Sequence, residues 1–148
     1  MKIAQRNIVI LIIVSFIATA LFAQVNANKA VTLVKSAIQY YKANGKDKCL
    51  DAITKGRFKQ GEMYVFCYDL EGVMLAHPEN KALIGKKLIN VPDVDGKLFR
   101  KEIIEKAKST GTGWVDYKYK NPVDKKIENK TTYFEKAGDI VFCCGIYK

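Results

Sequence analysis

His77 is the only histidine in this 148-residue chain, and it precedes Pro78 at the end of a predicted strand. An imidazole can act as a general base, a metal ligand or a hydrogen-bond donor to an anion. A catalytic triad would need a nucleophile beside it, and no G-x-S-x-G motif is present. The spacing of the cysteines does not match that of zinc ligands, because no C-x-x-C pair exists. The sequence therefore predicts no enzyme, no metal and no cofactor. His77 either donates to a bound anion or only caps its own loop.

A second set of candidates consists of aromatic and basic side chains on predicted strands. Side chains alternate along a strand, so Tyr64 and Phe66 share one face. The other candidates are Trp114, Tyr117, Lys130 and Tyr133. Hydroxyls, an imidazole and an ammonium can hold a carboxylate, while ring faces cover the alkyl part of a small acid. These residues predict a binding pocket for a small anion. The alternative is that the aromatic side chains only fill the core.

The first residues have the features of an export signal. Lys2 and Arg6 precede an apolar run at 8–20, and small residues follow it, so we predict a signal peptide at residues 1–27 with cleavage after Ala27 or, alternatively, Ala23. The competing interpretation is an uncleaved membrane anchor at 8–25. No second apolar run of spanning length follows, so we expect a periplasmic domain at 28–148 and no complete transmembrane receptor.

The formal net charge of +10 favours anionic partners, such as a small carboxylate, an acidic protein or an anionic polymer. Nucleic acid is an unsuitable partner for an exported protein whose lysines are scattered along the chain.

The four cysteines are candidates for disulfides, because an exported protein meets an oxidising compartment. A bridge between the neighbours Cys143 and Cys144 would close a strained ring. We therefore predict that Cys49 and Cys67 each pair with one of these neighbours, or that a single bridge forms. Thiol redox chemistry at the vicinal pair is the remaining enzymatic alternative.

The hydrophobic periodicity changes along the chain from helical to alternating and back. Tight turns join consecutive strands, which makes them antiparallel. This order predicts an α+β domain in which a five-stranded antiparallel sheet packs against a long N-terminal helix, with a long structured loop at 78–96. The predicted elements are helices at 28–44, 47–55 and 97–109 and strands at 63–70, 73–77, 113–120, 130–137 and 139–147.

Five segments in this order resemble the single Cache domain, type 2, of bacterial extracytoplasmic sensors. They are "YVFCYDLEGVMLAHP", "IGKKLINVPDVDGKLF", "GTGWVDYKYKNP", "KTTYFEK" and "CCGIY", and the similarity runs from about Ala30 to Tyr147. The resemblance implies a PAS-like fold with a pocket for a small organic acid such as acetate, propionate, lactate or pyruvate. It also implies signalling through a membrane receptor or kinase, as in chemotaxis.

The resemblance also implies which residues of this chain form the pocket. The pocket-side motifs correspond to His77, Trp114, Tyr117, Lys130 and Tyr133, and the pocket floor corresponds to Tyr64 and Phe66. The vicinal cysteines stand where many family members have small residues, which implies a bridge that pins the last strand. The alternative function is a Cache fold that has lost its ligand and binds an acidic partner through its basic surface.

Overall fold

The computed structural model describes the backbone of residues 2–148 and the side chains of residues 23–148. Its elements are α1 (Lys2–Asn44), α2 (Lys46–Thr54), β1 (Lys59–Gln60), β2 (Met63–Asp69), β3 (Met74–Ala76), α3 (Phe99–Ser109), β4 (Thr112–Lys120), β5 (Ile127–Ala137) and β6 (Ile140–Tyr147). The proposed signal peptide and the alternative anchor fall mostly outside the described side chains, so both stay predictions. Within residues 23–148, no helix is long and apolar enough to cross a membrane.

The C-terminal part of α1 packs lengthwise on the sheet. Ala30, Val34, Ala37 and Ile38 recur at helical spacing and are buried, which gives the helix one apolar stripe toward β6 and its neighbours. Gly45 ends the helix with a φ of 84°, a left-handed conformation that glycine adopts without strain. The long N-terminal helix predicted from the sequence is thereby confirmed.

The sheet is antiparallel throughout, with strand order β1-β2-β6-β5-β4 and with β3 paired to β2. The predicted α+β architecture is confirmed. The sheet has one strand more than the five predicted, because β1 contributes two residues, Lys59 and Gln60. A strand of that length is too short to show an alternating pattern.

The sheet separates two hydrophobic clusters. One cluster lies between the sheet and the helices α1 and α2, and we call this side the α1 face. The other lies between the sheet and α3, and we call this side the α3 face. Strand alternation decides which cluster each residue joins. On β2, Val65 and Cys67 belong to the α1 face, whereas Tyr64, Phe66 and Tyr68 belong to the α3 face.

The α3 face is covered by α3 and by residues 78–98, which we call the cover segment. Asp93 ties this segment to the edge strand β4. Its Oδ1 accepts the backbone N–H groups of Asp95 and Lys97 at 3.0 and 2.9 Å, and its Oδ2 accepts the N–H of Lys118 at 2.9 Å. Partial burial alone would raise the pKa of Asp93, but these backbone donors outweigh it and lower that pKa.

The predicted disulfides are not confirmed, because all four cysteines are free, buried thiols. Strand alternation places Cys143 on the α3 face and Cys144 on the α1 face. Cys67 shares the α1 face with Cys49 and Cys144. Burial raises the pKa of Cys49 to about 11 and that of Cys144 to about 12, so these thiols are poor nucleophiles at neutral pH.

Replacing Asp93 with alanine should loosen the cover segment. The change leaves three backbone N–H groups without their acceptor, and we expect the free energy of unfolding to fall by about 1–3 kcal/mol. Urea denaturation at pH 7 measures this. Asp95→Ala is the matched control, because its exposed ion pair with Lys118 contributes about 0–1 kcal/mol. The difference from wild type should shrink as the pH falls through the lowered pKa of Asp93. Equal losses for the two variants would contradict this role.

Candidate ligand-binding site

Lys130 is a buried lysine at the centre of the α3 face. Its side chain is on β5 and the residue is 1% exposed. Its Nζ donates to the hydroxyls of Tyr64 and Tyr147, both at 3.1 Å. Four aromatic rings surround the ammonium, with centroids 4.3–5.8 Å from Nζ: Tyr64, Phe66, Tyr119 and Tyr147. None of the ion pairs within residues 23–148 includes Lys130. Burial lowers its pKa to about 7.

Gly145 on β6 makes room for this lysine. It pairs with Thr132 across β5 and β6, and the aliphatic stem of Lys130 crosses it. A Cβ at position 145 would overlap Cε of Lys130 and would lie 2.8 Å from Oγ1 of Thr132. The absence of a side chain at 145 is therefore part of how the strand accommodates a buried ammonium.

His77 has one ring nitrogen engaged with its own loop. Nδ1 accepts the backbone N–H groups of Glu79 at 3.1 Å and Asn80 at 2.9 Å. This network assigns the proton of the neutral ring to Nε2. Burial, reinforced by the charge of Lys130, lowers the pKa of His77 to about 4, so the ring is neutral at pH 7. The capping role predicted for His77 is present, and Nε2–H remains available as a donor.

Tyr68 is held by a buried arginine. Nε of Arg100 donates to the Tyr68 hydroxyl oxygen at 3.2 Å, and its Nη1 donates to the Val91 carbonyl at 3.0 Å. Because a guanidinium has no acceptor, the Tyr68 hydroxyl proton must point elsewhere. Arg100 also lies 4.2 Å from the ring centroid of Phe99, which is stacked on Tyr117. Arg100 therefore links α3, the cover segment and β2.

These side chains enclose an inner cavity of about 10 Å³, which has room for a single water molecule. Its wall is made of Tyr64, Phe66, Tyr68, Met74, His77, Phe99, Tyr117, Tyr119 and Lys130. The wall offers a Lys130 N–H, the Tyr68 O–H and the His77 Nε2–H as donors, and it contains no carboxylate. A ligand of several heavy atoms fits only if part of the wall moves outward.

A larger, open depression of about 290 Å³ adjoins the inner cavity, and we call it the vestibule. Tyr64, His77 and Tyr119 line both spaces and separate them. The other residues of the vestibule are Glu79, Asn80, Lys120, Asn121, Pro122 and Lys125. A second open depression, of about 320 Å³, shares Tyr117 and Lys130 with the inner cavity.

The structure brings most of the predicted site residues together. Those that line the inner cavity are Tyr64, Phe66, His77, Tyr117 and Lys130. Trp114 and Tyr133 do not line it. They contact each other on the α1 face, with ring centroids 5.3 Å apart. The reason is the odd spacing within each strand: Trp114 is three residues from Tyr117, and Tyr133 is three residues from Lys130.

Arg100 is a residue that the sequence analysis missed. Arg100 lies on α3 and is 5% exposed. Its position in the sequence indicates the burial, because the apolar residues Ile103, Ile104 and Ala107 follow it at three, four and seven residues and are buried. An arginine on the apolar stripe of a helix is a candidate for a buried role. Gly145 gave no comparable signal in the sequence.

Comparisons with known proteins agree with this fold. The family profile described as Cache domain matches residues 21–145. The chain belongs to the Cache domain family. One similar solved structure is a periplasmic sensor domain of a chemotaxis protein, with 27% identity, a TM-score of 0.67, and coverage of 84% of this chain and 93% of that chain. Another, titled as the structural basis for carboxylic acid recognition by a Cache chemosensory domain, has 25% identity, a TM-score of 0.71, and coverage of 85% and 95%.

A third structure supports the fold alone. It is a methyl-accepting chemotaxis protein from Vibrio parahaemolyticus, with 20% identity, a TM-score of 0.74, and coverage of 85% of this Cache chain and 90% of that chain. No curated protein sequence matches the chain.

Gly145→Ala should destabilise this Cache domain through its clash with Lys130. Overpacking of this kind costs about 1–3 kcal/mol in the free energy of unfolding. In a Lys130→Ala background the stem is gone, so the same change should cost less, with a coupling energy of about 1 kcal/mol or more. Chemical denaturation of the two single variants and the double variant measures the coupling. Additive effects would show that the close approach at Gly145 is unimportant.

Proposed function

We propose that this Cache domain binds a small organic acid of the acetate, propionate, lactate or pyruvate class, without catalysing a reaction on it. The observation that carries the proposal is the buried Lys130 ammonium, which has no acidic partner among the described residues. A buried charge is costly unless it is paired, and an anionic ligand would supply the pair.

The donors around the inner cavity match a carboxylate. A carboxylate only accepts hydrogen bonds, and the wall offers N–H and O–H groups from Lys130, Tyr68 and His77. Charge-assisted bonds of this kind are stronger than neutral ones. The rings of Phe66 and Phe99 would cover the alkyl part of the acid. The similar Cache domain titled for carboxylic acid recognition supports this ligand class.

The size of the ligand limits the affinity. An acid of about six heavy atoms gains at most about 1.5 kcal/mol per atom, which permits micromolar binding. Opening the wall of the inner cavity subtracts from this gain. When a bound acid pushes the wall outward, the cover segment or α3 would move with it. This movement would report ligand occupancy.

We propose the periplasm as the site of action, with residues 1–27 as a cleaved signal peptide and 28–148 as a single Cache domain. The similarity to a periplasmic sensor domain of a chemotaxis protein supports this location. A membrane receptor or kinase would then receive the signal.

A second candidate function is a Cache domain that binds an acidic partner through its basic surface. The observation in its favour is the small inner cavity of about 10 Å³ together with the excess of basic over acidic residues, 25 Lys and Arg against 15 Asp and Glu in the full sequence. Such an association would weaken steeply with salt and would not depend on the residues of the cavity.

Lys130→Met should abolish binding of small organic acids and should stabilise the free protein. Methionine keeps the apolar stem and removes an unpaired buried charge, so the melting temperature without ligand should rise. A thermal-shift screen of acetate, propionate, lactate and pyruvate, followed by calorimetry, tests this. We expect at least one acid to bind to wild type and to lose about 2 kcal/mol or more in the variant, which is about thirtyfold in Kd.

The matched control for this variant is Lys136→Met, an exposed lysine on the same strand. It should bind the acid as wild type does. Binding that survives Lys130→Met, or no shift with any acid, would rule the proposed site out.

The affinity for the acid should depend on pH above neutrality. Lys130 has a pKa of about 7 in the free protein, and a bound carboxylate would raise it, so binding takes up a proton above pH 7. Affinity should be constant from about pH 6 to 7 and then fall up to about tenfold per pH unit. Calorimetry in buffers of different ionisation enthalpy measures the proton uptake. An affinity that stays constant from pH 7 to 9 would mean that Lys130 does not pair with the carboxylate.

A further inference from the structure

Four aromatic rings form a cage around the Lys130 nitrogen. The ring centroids of Tyr64 and Tyr147 lie 4.6 and 4.3 Å from Nζ. Those of Tyr119 and Phe66 lie 5.3 and 5.8 Å from it. Because the faces of aromatic rings carry negative electrostatic potential, they attract a cation and repel an anion. Any covalent product of Lys130 that keeps a positive charge on the nitrogen therefore suits this cage, and a negatively charged product does not.

A lysine buried in this way can react as an amine. Because burial disfavours the charged form, the pKa of Lys130 is lowered to about 7, and about half of the molecules carry a free lone pair on Nζ at pH 7. An exposed lysine, with a pKa of about 10.4, is in this form in roughly one molecule in 2,500. Desolvated lysines of low pKa are the usual protein nucleophiles toward carbonyl compounds, with which they form imines.

Two donors on the wall of the inner cavity can bond a carbonyl oxygen. The Tyr68 hydroxyl oxygen accepts from Nε of Arg100 at 3.2 Å, so the hydroxyl proton points away from the guanidinium. Nδ1 of His77 accepts two backbone N–H groups, which leaves Nε2–H as a donor. Tyr68, His77 and Lys130 all line the same cavity. The fold thus brings together an amine, two donors for an oxygen atom and a space with room for one water molecule.

We propose that Lys130 captures a short-chain aldehyde as a protonated imine. Nζ, as the free amine, attacks the carbonyl carbon. The oxygen takes a proton from the Tyr68 hydroxyl, which regains one from the nitrogen. The resulting carbinolamine loses this oxygen as water, with the proton that the ammonium released when it became the amine, while the nitrogen lone pair forms the C=N bond. This capture goes beyond the binding of organic acids and does not depend on it.

The reaction balances without any further reactant. One ammonium and one aldehyde give one iminium and one water molecule, so the charge inside the aromatic cage is the same before and after. Carbon dioxide, another partner of free amines, would instead turn Lys130 into an anionic carbamate that faces four aromatic rings. The cage therefore favours the imine over the carbamate.

The size of the inner cavity limits the aldehyde to a few heavy atoms. At about 10 Å³ the cavity holds a single water molecule, so a longer chain would have to displace more of the wall. A short aldehyde is uncharged, and it enters without the desolvation penalty that a carboxylate pays. The exclusion of bulk water from the cavity also protects the imine from hydrolysis.

Reductive trapping on the full protein at pH 7 tests this capture. The protein is incubated briefly with dilute acetaldehyde and sodium cyanoborohydride, which reduces a protonated imine to a stable ethylamine, and peptide mass spectrometry locates the modified lysines. We expect Lys130 to be modified at least about tenfold faster than any exposed lysine, because its free-amine fraction is larger by on the order of a thousandfold. The N-terminal amine, with a pKa of about 8, is an exposed reference. In protein unfolded with urea, the preference for Lys130 should disappear.

Tyr68→Phe tests the proton donor. Phenylalanine keeps the ring and removes the hydroxyl, so modification of Lys130 should slow by about tenfold or more, with His77 Nε2–H as the remaining donor. Tyr117→Phe is the matched control. Tyr117 lines the same cavity, but its hydroxyl is already bonded to Oγ1 of Thr132 at 2.8 Å. The rate in this control should stay within about threefold of wild type.

The outcomes separate this capture from the proposed function. Lys130→Met should remove the fast modification and leave only the slow modification of exposed lysines. If the N-terminal amine and the exposed lysines of wild type are modified while Lys130 is not, the capture is wrong and the binding of organic acids is unaffected. Equal slowing in Tyr68→Phe and Tyr117→Phe would overturn the reaction as assigned, because the Tyr68 hydroxyl would then have no role of its own.

Discussion

The buried ammonium of Lys130 is the constraint on which the rest of the site depends. Two tyrosine hydroxyls and four aromatic rings replace part of its hydration, but no carboxylate of residues 23–148 neutralises it. The stem reaches its position because Gly145 has no side chain. The charge also helps to keep His77 neutral, which fixes the imidazole as a donor at Nε2. The position of Lys130 thus depends on a glycine of the neighbouring strand, and its charge adds to the effect of burial on His77.

The two faces of the sheet have different mechanical roles. On the α1 face, α1 packs a regular apolar stripe against β6. On the α3 face, the cover segment has little regular secondary structure, but backbone hydrogen bonds join its residues 85–88 to residues 72–74. Its later residues are held by Asp93, which accepts from β4, and by Arg100, which donates to the Val91 carbonyl. Arg100 connects the cover segment to the sheet, because it also donates to Tyr68 in the cavity wall.

The fold was predictable because the chain changes hydrophobic period at each element and carries the Cache motifs in order. The face on which a candidate residue lies was predictable where alternation along one strand was applied, as for Tyr64 and Phe66, and not where residues an odd number apart were grouped, as for Trp114 with Tyr117. The expected disulfides came from cysteine count and compartment alone. Because Cys143 and Cys144 face opposite sides of the sheet, Cys49 and Cys67 on the α1 face cannot each pair with a different neighbour. Lys130 was identified by its type, but its burial and its dependence on Gly145 are properties of strand pairing, which a sequence does not show.

The donor pattern also limits which acids can enter. An amino acid carries an ammonium beside its carboxylate, and that ammonium would need an acceptor near Lys130. The described wall of the inner cavity contains no carboxylate, and Nδ1 of His77 is already occupied by two backbone N–H groups. A second buried cation would be unpaired and would repel the first. If the proposed function is correct, amino acids should therefore bind more weakly than organic acids of the same size, because their ammonium group would be unpaired beside Lys130.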